Sequence, residues 1–313
     1  MHIESPDILA GIVCLSILNY LLPQPYRWGL LGLASLGLYG VLSPGLTPVV
    51  VMVGLVICTF LLVAGGVRVG GVAARVGVYA GIGVNLVALC TFKVAGLVGQ
   101  SAEAGSTQAV MGHAVQLAMP LGISFIAFKL ISYAVDVSRG HVKPEGNGAL
   151  FITYGLFFPQ VTAGPIQRAQ ELFPQLLQPA GWDLERYTDG LKLILWGMFK
   201  KLVVADRLAG YVGQVYDQAG DVGGMAYLAA TYCYAIQIYC DFSGYTDIAI
   251  GIGRMFGLTF PENFQAPYAA TSIGEFWRRW HMTLSSWLRD YLYIPLGGNR
   301  VAPWRYGVNV LDR

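Results

Sequence analysis

The chain has 313 residues, of which 55% are hydrophobic and only 12% charged, with a formal net charge of +2. That charged share is about half the usual one, and with a mean hydropathy of +0.54 it excludes a water-soluble domain that hides its apolar surface inside. The small net charge, with no basic run, excludes a nucleic-acid surface.

Five cysteines, at 14, 58, 90, 233 and 240, lie in apolar stretches without CxxC spacing. They read as small buried hydrophobes, so neither a disulfide framework nor a metal site is expected.

A membrane helix needs roughly 20 mostly apolar residues. Windows of that kind fall at about 8–22, 28–43, 46–64, 74–98, 114–136, 148–163, 189–205 and 225–256. The N-terminus lacks the basic region of a cleavable signal, so the first run reads as a retained helix. Glu4 and Asp7 precede it, with no basic residue. Arg27 lies in the first loop, Arg68 and Arg75 in the third, and Arg139 and Lys143 in the fifth; the second loop is uncharged and the fourth has only Glu103. By the positive-inside rule the N-terminus is extracytoplasmic and the odd loops are cytoplasmic.

Two later stretches break the apolar pattern. Pro159, Gly164 and Pro165 interrupt the window at 148–163. They predict either a re-entrant segment lining a cavity or an exit loop at the membrane surface. In 225–256, Asp241, Ser243 and Asp247 stand among apolar residues. Carboxylates there are expected to face the bundle, toward Arg254 or later arginines, in a structural or a substrate-binding role.

The densest polar cluster is Glu275–Asp290, where three arginines, two acids, a histidine and three tryptophans share sixteen residues. Ser272 and Glu275 have capping-box spacing. Helical periodicity from there puts Trp277, His281, Leu284, Leu288 and Leu292 on one face, with Arg279, Thr283, Ser286 and Asp290 opposite. The result is one amphipathic helix whose basic residues, with Arg300 and Arg305 beyond it, favour the cytoplasmic side. His281 is either a satisfied core residue or a desolvated, neutral imidazole able to take a proton from a hydroxyl. His2, His113 and His141 have no such setting.

Four segments carry a resemblance: Phe158–Arg168 (FPQVTAGPIQR), Tyr239–Gly251 (YCDFSGYTDIAIG), Phe260–Phe264 (FPENF) and Phe276–Arg300, which opens FWRRWHMTLSSWLRD. They resemble the membrane-bound O-acyltransferase family, most nearly its bacterial alginate O-acetylation branch and more distantly the teichoic acid D-alanylation proteins. Pro120–Phe125 is similar to the same branch. The likeness is strong over about 115–300.

The resemblance implies an all-α integral membrane protein. Its fold is a polytopic helical bundle around a transmembrane tunnel, with re-entrant or broken and amphipathic helices. Residues 1–313 would form a single acyltransferase domain in the bacterial inner membrane. An acyl group, acetyl in the alginate branch, would pass from a cytoplasmic donor to hydroxyls of an extracytoplasmic polysaccharide such as alginate. The donor would be acetyl-CoA or an acyl carrier, with no permanently bound cofactor. Besides the bilayer, partners would include periplasmic O-acetylation proteins.

His281 matches one of two polar positions at the centre of the family's tunnel and is the catalytic candidate. Trp277 and Trp280 would wall the tunnel. Arg278, Arg279 and Arg289 would meet the donor's anionic part or serve as positive-inside anchors. Gln160, Asp241, Ser243 and Asp290 complete the expected substrate or tunnel set.

The family's second histidine, in a Leu-Trp-His-Gly-like segment further on, has no counterpart. Asn309 to Arg313 reads as the start of a further helix, cut or frameshifted. The domain is therefore expected to be incomplete at its C-terminus and, alone, without measurable transfer. An inactive remnant, or a transporter built on the same broken helices, are the alternative readings.

Overall fold

The computed structural model describes residues 5–101, 119–218 and 222–298. Glu4, Glu103, His2, His113, Arg300, Arg305 and the tail 309–313 lie outside them, as does the start of the expected 114–136 span. Among the described residues every regular element is helical. In chain order these are α1 (Pro6–Leu21), α2 (Arg27–Leu42), α3 (Leu46–Val69), α4 (Gly71–Ser101) and α5 (Ile123–Ser138). α6 (Gly148–Gly155), α7 (Ala169–Leu177), α8 (Leu184–Met198), α9 (Asp206–Asp217), α10 (Gly224–Met255), α11 (Ile273–Arg279) and α12 (Met282–Leu288) follow.

α3 and the 71–94 part of α4 are long and apolar enough to cross a membrane, and the apolar stretch Asp7–Leu21 is shorter. They pack as a hairpin in which buried Asn85 donates to Thr59 Oγ1 and to Gly81 O, each at 2.8 Å. Many large apolar side chains point outward, including Leu33, Leu61, Tyr79 and Val87, each more than 60% exposed. Such a surface suits a lipid solvent and is untenable in water.

Two expected spans differ from the structure. The window 189–205 extends through a π-helical stretch, Phe199–Ala205, so that α8 and α9 run on as one continuous helical element. The window 148–163 is α-helical for only eight residues, capped by Asn147 Oδ1, which accepts from the amides of Ala149 and Leu150.

The chain then folds back on itself. Gly148 packs on Phe60 of α3, and Val161 reaches Gly122 at the start of α5. Arg168 pairs with Asp290, whose carbonyl takes two bonds from Arg139 at the far end of α5. Segment 148–168 thus climbs the roughly 24 Å length of α5 and returns to the end it left.

The turn takes a backbone partner from a neighbouring helix, the Phe158 amide donating to Ser35 Oγ of α2 at 3.2 Å. Gly122, at φ +68°, accommodates the turn, since a Cβ there would overlap the Val161 carbonyl. The segment is a helix followed by a turn that reverses the chain at Phe158–Gly164.

Candidate active site

The site is built where the loop 260–265 meets the Glu275–Asp290 cluster. Ser272 caps α11 as expected, its Oγ accepting from the Glu275 amide at 3.2 Å. Glu275 Oε2 reaches back to the amide and hydroxyl of Thr271, both at 2.8 Å.

The single amphipathic helix is not found. α11 ends at Arg279, Trp280 is extended, and His281 takes the left-handed conformation at φ 45°, ψ 53° before α12 begins. Non-glycine residues are uncommon there, though His, Asn and Asp adopt it more readily than most, and a backbone so placed needs external support. The loop supplies it: the Gln265 amide donates to Arg279 O and the Met282 amide to Asn263 O, both at 3.0 Å. The expected faces are therefore rearranged, and Thr283 is buried beside His281 instead of opposite it.

His281 is 9% exposed. Its ring meets Phe242 edge-on at 4.7 Å, with Phe125 at 6.3 Å and Phe264 at 6.5 Å. Burial in this aromatic cage pushes the imidazole pKa down to about 4, so it is neutral at physiological pH. Nδ1 lies 3.1 Å from Asn263 Oδ1. The same oxygen accepts from the amide of Thr283 at 3.2 Å and from its hydroxyl at 2.9 Å. Thr283 Oγ1 in turn accepts from the Ile166 amide at 3.1 Å, which ties the site to the returning arm of the hairpin. Nε2 makes no hydrogen bond among the described residues.

The other sequence candidates separate into groups. Trp280 joins an aromatic cluster beside the histidine, 5.1 Å from Phe264 and 5.5 Å from Phe276. Trp277 turns away and is 49% exposed. Arg279 pairs with Glu275 at 2.6 Å, whereas Arg278 is exposed with no partner among the described residues.

Arg289 and Asp290 lie beyond α12, about 12 Å along the chain from His281. Asp290 is held by Arg168 and by Arg289. Partial burial alone would raise its pKa, yet the hydrogen bonds from Arg289 and Arg168 keep its carboxyl below the usual range. Tyr291 sits between Arg139 and Arg168, at 5.6 and 5.3 Å, and donates to buried Asp136 at 2.7 Å. These contacts clamp the cluster to α5 and are structural.

Gln160 is buried and satisfied: Lys129 Nζ donates to it at 3.1 Å, and it donates to Gln167 at 2.9 Å. The acids of α10 find lysines, and not the later arginines, because the π-helical turn presents Lys200 and Lys201 to them. Lys200 pairs with Asp247 at 2.5 Å and donates to Ser243 at 3.1 Å. Lys201 pairs with Asp241 at 2.6 Å. Asp247 faces inward, but the Asp241 side chain is 52% exposed. Phe242, between Asp241 and Ser243, is the α10 residue that reaches the histidine.

Sequence reasoning missed Asn263, Thr283, Lys129 and Lys200. The only available signal for Asn263 was its place in Phe260–Phe264, one of the segments carrying the family likeness.

The family model described as MBOAT, membrane-bound O-acyltransferase family, matches residues 147–304, which contain the hairpin, the loop 260–265 and His281. The chain belongs to the membrane-bound O-acyltransferase family. It is 41% identical over 225 residues to a probable alginate O-acetylase of Pseudomonas putida, covering 70% of this chain and 45% of that protein. It is 38% identical to a peptidoglycan O-acetyltransferase of Helicobacter pylori, over 60% of this chain and 40% of that one. A teichoic acid D-alanyltransferase of Bacillus subtilis is 30% identical over 56% of this chain and 45% of its own. The chain spans less than half the length of these relatives.

Proposed function

We propose that this chain carries the acceptor-activating part of an O-acyltransferase. In this reading an acetyl group passes from a cytoplasmic thioester donor to hydroxyls of an extracytoplasmic polysaccharide, with alginate the leading acceptor. The observation that carries the reading is His281: buried in an aromatic cage, held through Nδ1 and open at Nε2.

The chemistry follows from a neutral imidazole. Nε2 takes the proton of an acceptor hydroxyl as its oxygen bonds to the acyl carbonyl carbon. The bond from that carbon to the donor sulfur then breaks, and the imidazolium returns its proton to the leaving thiolate. Trp280 and Phe264 would wall the path, and Arg278, exposed and unpaired, is the arginine of the cluster best placed to meet an anionic donor. The relatives named for O-acetylation of alginate or peptidoglycan and D-alanylation of teichoic acid support a polymeric acceptor.

Orientation belongs to the same proposal: N-terminus outside, loops at Arg68–Arg75 and Arg139–Lys143 in the cytoplasm. These two loops lie at one end of the fold, with Gly146 close to Arg68.

The test is transfer of labelled acetyl from acetyl-CoA to alginate by the full protein in liposomes, beside flux of both solutes. Ester-linked label on the polymer is expected. Solute flux without ester formation would overturn the reading in favour of a transporter. Labelling of single cysteines in those two loops from the cytoplasmic face alone is expected as well; labelling from the other face reverses the orientation.

A further inference from the structure

We infer that Asn263 is a positioning residue that sets the tautomer of His281, holding the ring proton on Nδ1 and leaving the Nε2 lone pair for the acceptor hydroxyl. The inference deepens the proposed function and rests on it for its catalytic meaning, but the tautomer itself is measurable without any activity.

The argument is one of hydrogen-bond direction. A backbone amide can only donate. The Thr283 amide is 3.2 Å from Asn263 Oδ1, so an acceptor must stand there, and exchanging the amide's oxygen and nitrogen would set two donors face to face. The Thr283 hydroxyl reinforces this. It receives the Ile166 amide at 3.1 Å, which leaves its own proton to point at Asn263 Oδ1, 2.9 Å away. The oxygen is therefore fixed on the side facing His281. A carbonyl oxygen donates nothing, so the imidazole nitrogen at 3.1 Å must bring the proton. A neutral imidazole carries only one, and Nε2 is then bare.

The arrangement leaves Asn263 Nδ2 buried without a partner among the described residues. An orphaned buried donor is unfavourable, so the amide is kept in this pose by the demands on its oxygen. Beside the left-handed His281, the Met282 amide donates to Asn263 O at 3.0 Å and holds the two residues together.

The experiment is ¹⁵N NMR of histidine-labelled protein in lipid. The chain has four histidines, and His281→Asn identifies the signals of this one. A neutral ring protonated on Nδ1 is expected in the wild type. Asn263→Leu, which removes the acceptor at similar size, is expected to shift the ring toward the Nε2-protonated form. Thr283→Val, which leaves the Asn263 oxygen in place, is expected to keep the wild-type tautomer.

In the transfer assay, Asn263→Leu is expected to lower kcat roughly 10–10³-fold with KM within about twofold. A wild-type ring protonated on Nε2 overturns the inference, as does an unchanged tautomer in folded Asn263→Leu. Should that variant not fold, the wild-type spectrum alone decides. Full transfer by His281→Ala would instead refute the proposed function and leave the tautomer assignment standing.

Discussion

Replacing His281 by alanine is expected to lower acyl transfer by the full protein roughly 10²–10⁴-fold, the usual worth of a general base, with membrane abundance close to wild type. His281→Asn is the sharper variant, because asparagine tolerates the left-handed backbone at this position. Equal losses in both, measured with abundance on the same membranes, separate chemistry from packing. A packing role predicts the reverse pattern: less protein, with activity per folded molecule retained.

The pH dependence follows from the cage. Burial lowers the imidazole pKa from 6.5 to about 4. The base is therefore free throughout pH 5–8, and activity is expected to be flat across that range on its acidic side. Stability moves with the same proton. Above about pH 6.5 His281 is neutral folded or unfolded and contributes no slope. As the pH falls from 6.5 toward 4 the unfolded chain takes up the proton first, so the folded state loses stability, and the loss levels off below about 4. His281→Asn lacks this component and is expected to show a shallower decline of its denaturation midpoint over that interval. Identical declines would show that the ring is not held neutral.

What was legible in the sequence depended on whether a signal was local. The Ser272 cap and the break at Pro159–Pro165 are local, and both appear in the structure. The importance of the Glu275–Asp290 cluster was legible from the expense of charge in an apolar chain. Its geometry was not. Periodicity assumes one unbroken helix, and nothing in Trp280–His281–Met282 announces a left-handed residue. That conformation is imposed by the loop 260–265, whose backbone bonds to Arg279 and Met282 span 14 and 19 residues of sequence.

The partners of Asp241 and Asp247 were misread for a related reason. The π-helical stretch Phe199–Ala205 turns Lys200 and Lys201 toward α10, and a wider helical turn leaves no trace in hydropathy. Asp290 looked like a site residue because it is charged and belongs to the motif. In the structure its carboxylate pairs with Arg168 on the returning arm of the hairpin, and its carbonyl receives Arg139 at the end of α5.

The largest stability effect is expected where α8 and α10 cross. The two helices run past each other on two reciprocal glycine contacts. A Cβ on Gly190 would lie 2.7 Å from Gly251 O and one on Gly251 2.6 Å from Gly190 O; for Gly197 and Gly244 the distances are 2.5 and 2.8 Å. Each helix thus spaces its glycines seven residues apart, about 10.5 Å, so both contacts fall on one face. Close approach of this kind drives helix association in lipid, where apolar side chains gain nothing by leaving the hydrocarbon.

The atoms in the way are backbone carbonyls, which cannot rotate aside, so a larger residue must part the helices. Gly197→Leu is expected to destabilise by at least the roughly 1–3 kcal/mol of an overpacked core, seen as early aggregation of the solubilised protein on heating. Gly213→Ala on α9, with open space around it, is expected to be neutral or stabilising by up to about 1 kcal/mol from helix propensity alone. Gly197→Leu combined with Gly244→Leu is expected to cost less than the sum of the two, since the first already opens the contact. Strict additivity would mean that the helices do not meet there. The same separation would draw Phe242 away from His281, so a folded Gly197→Ala protein is expected to lose transfer activity as well as stability, while Gly213→Ala keeps both.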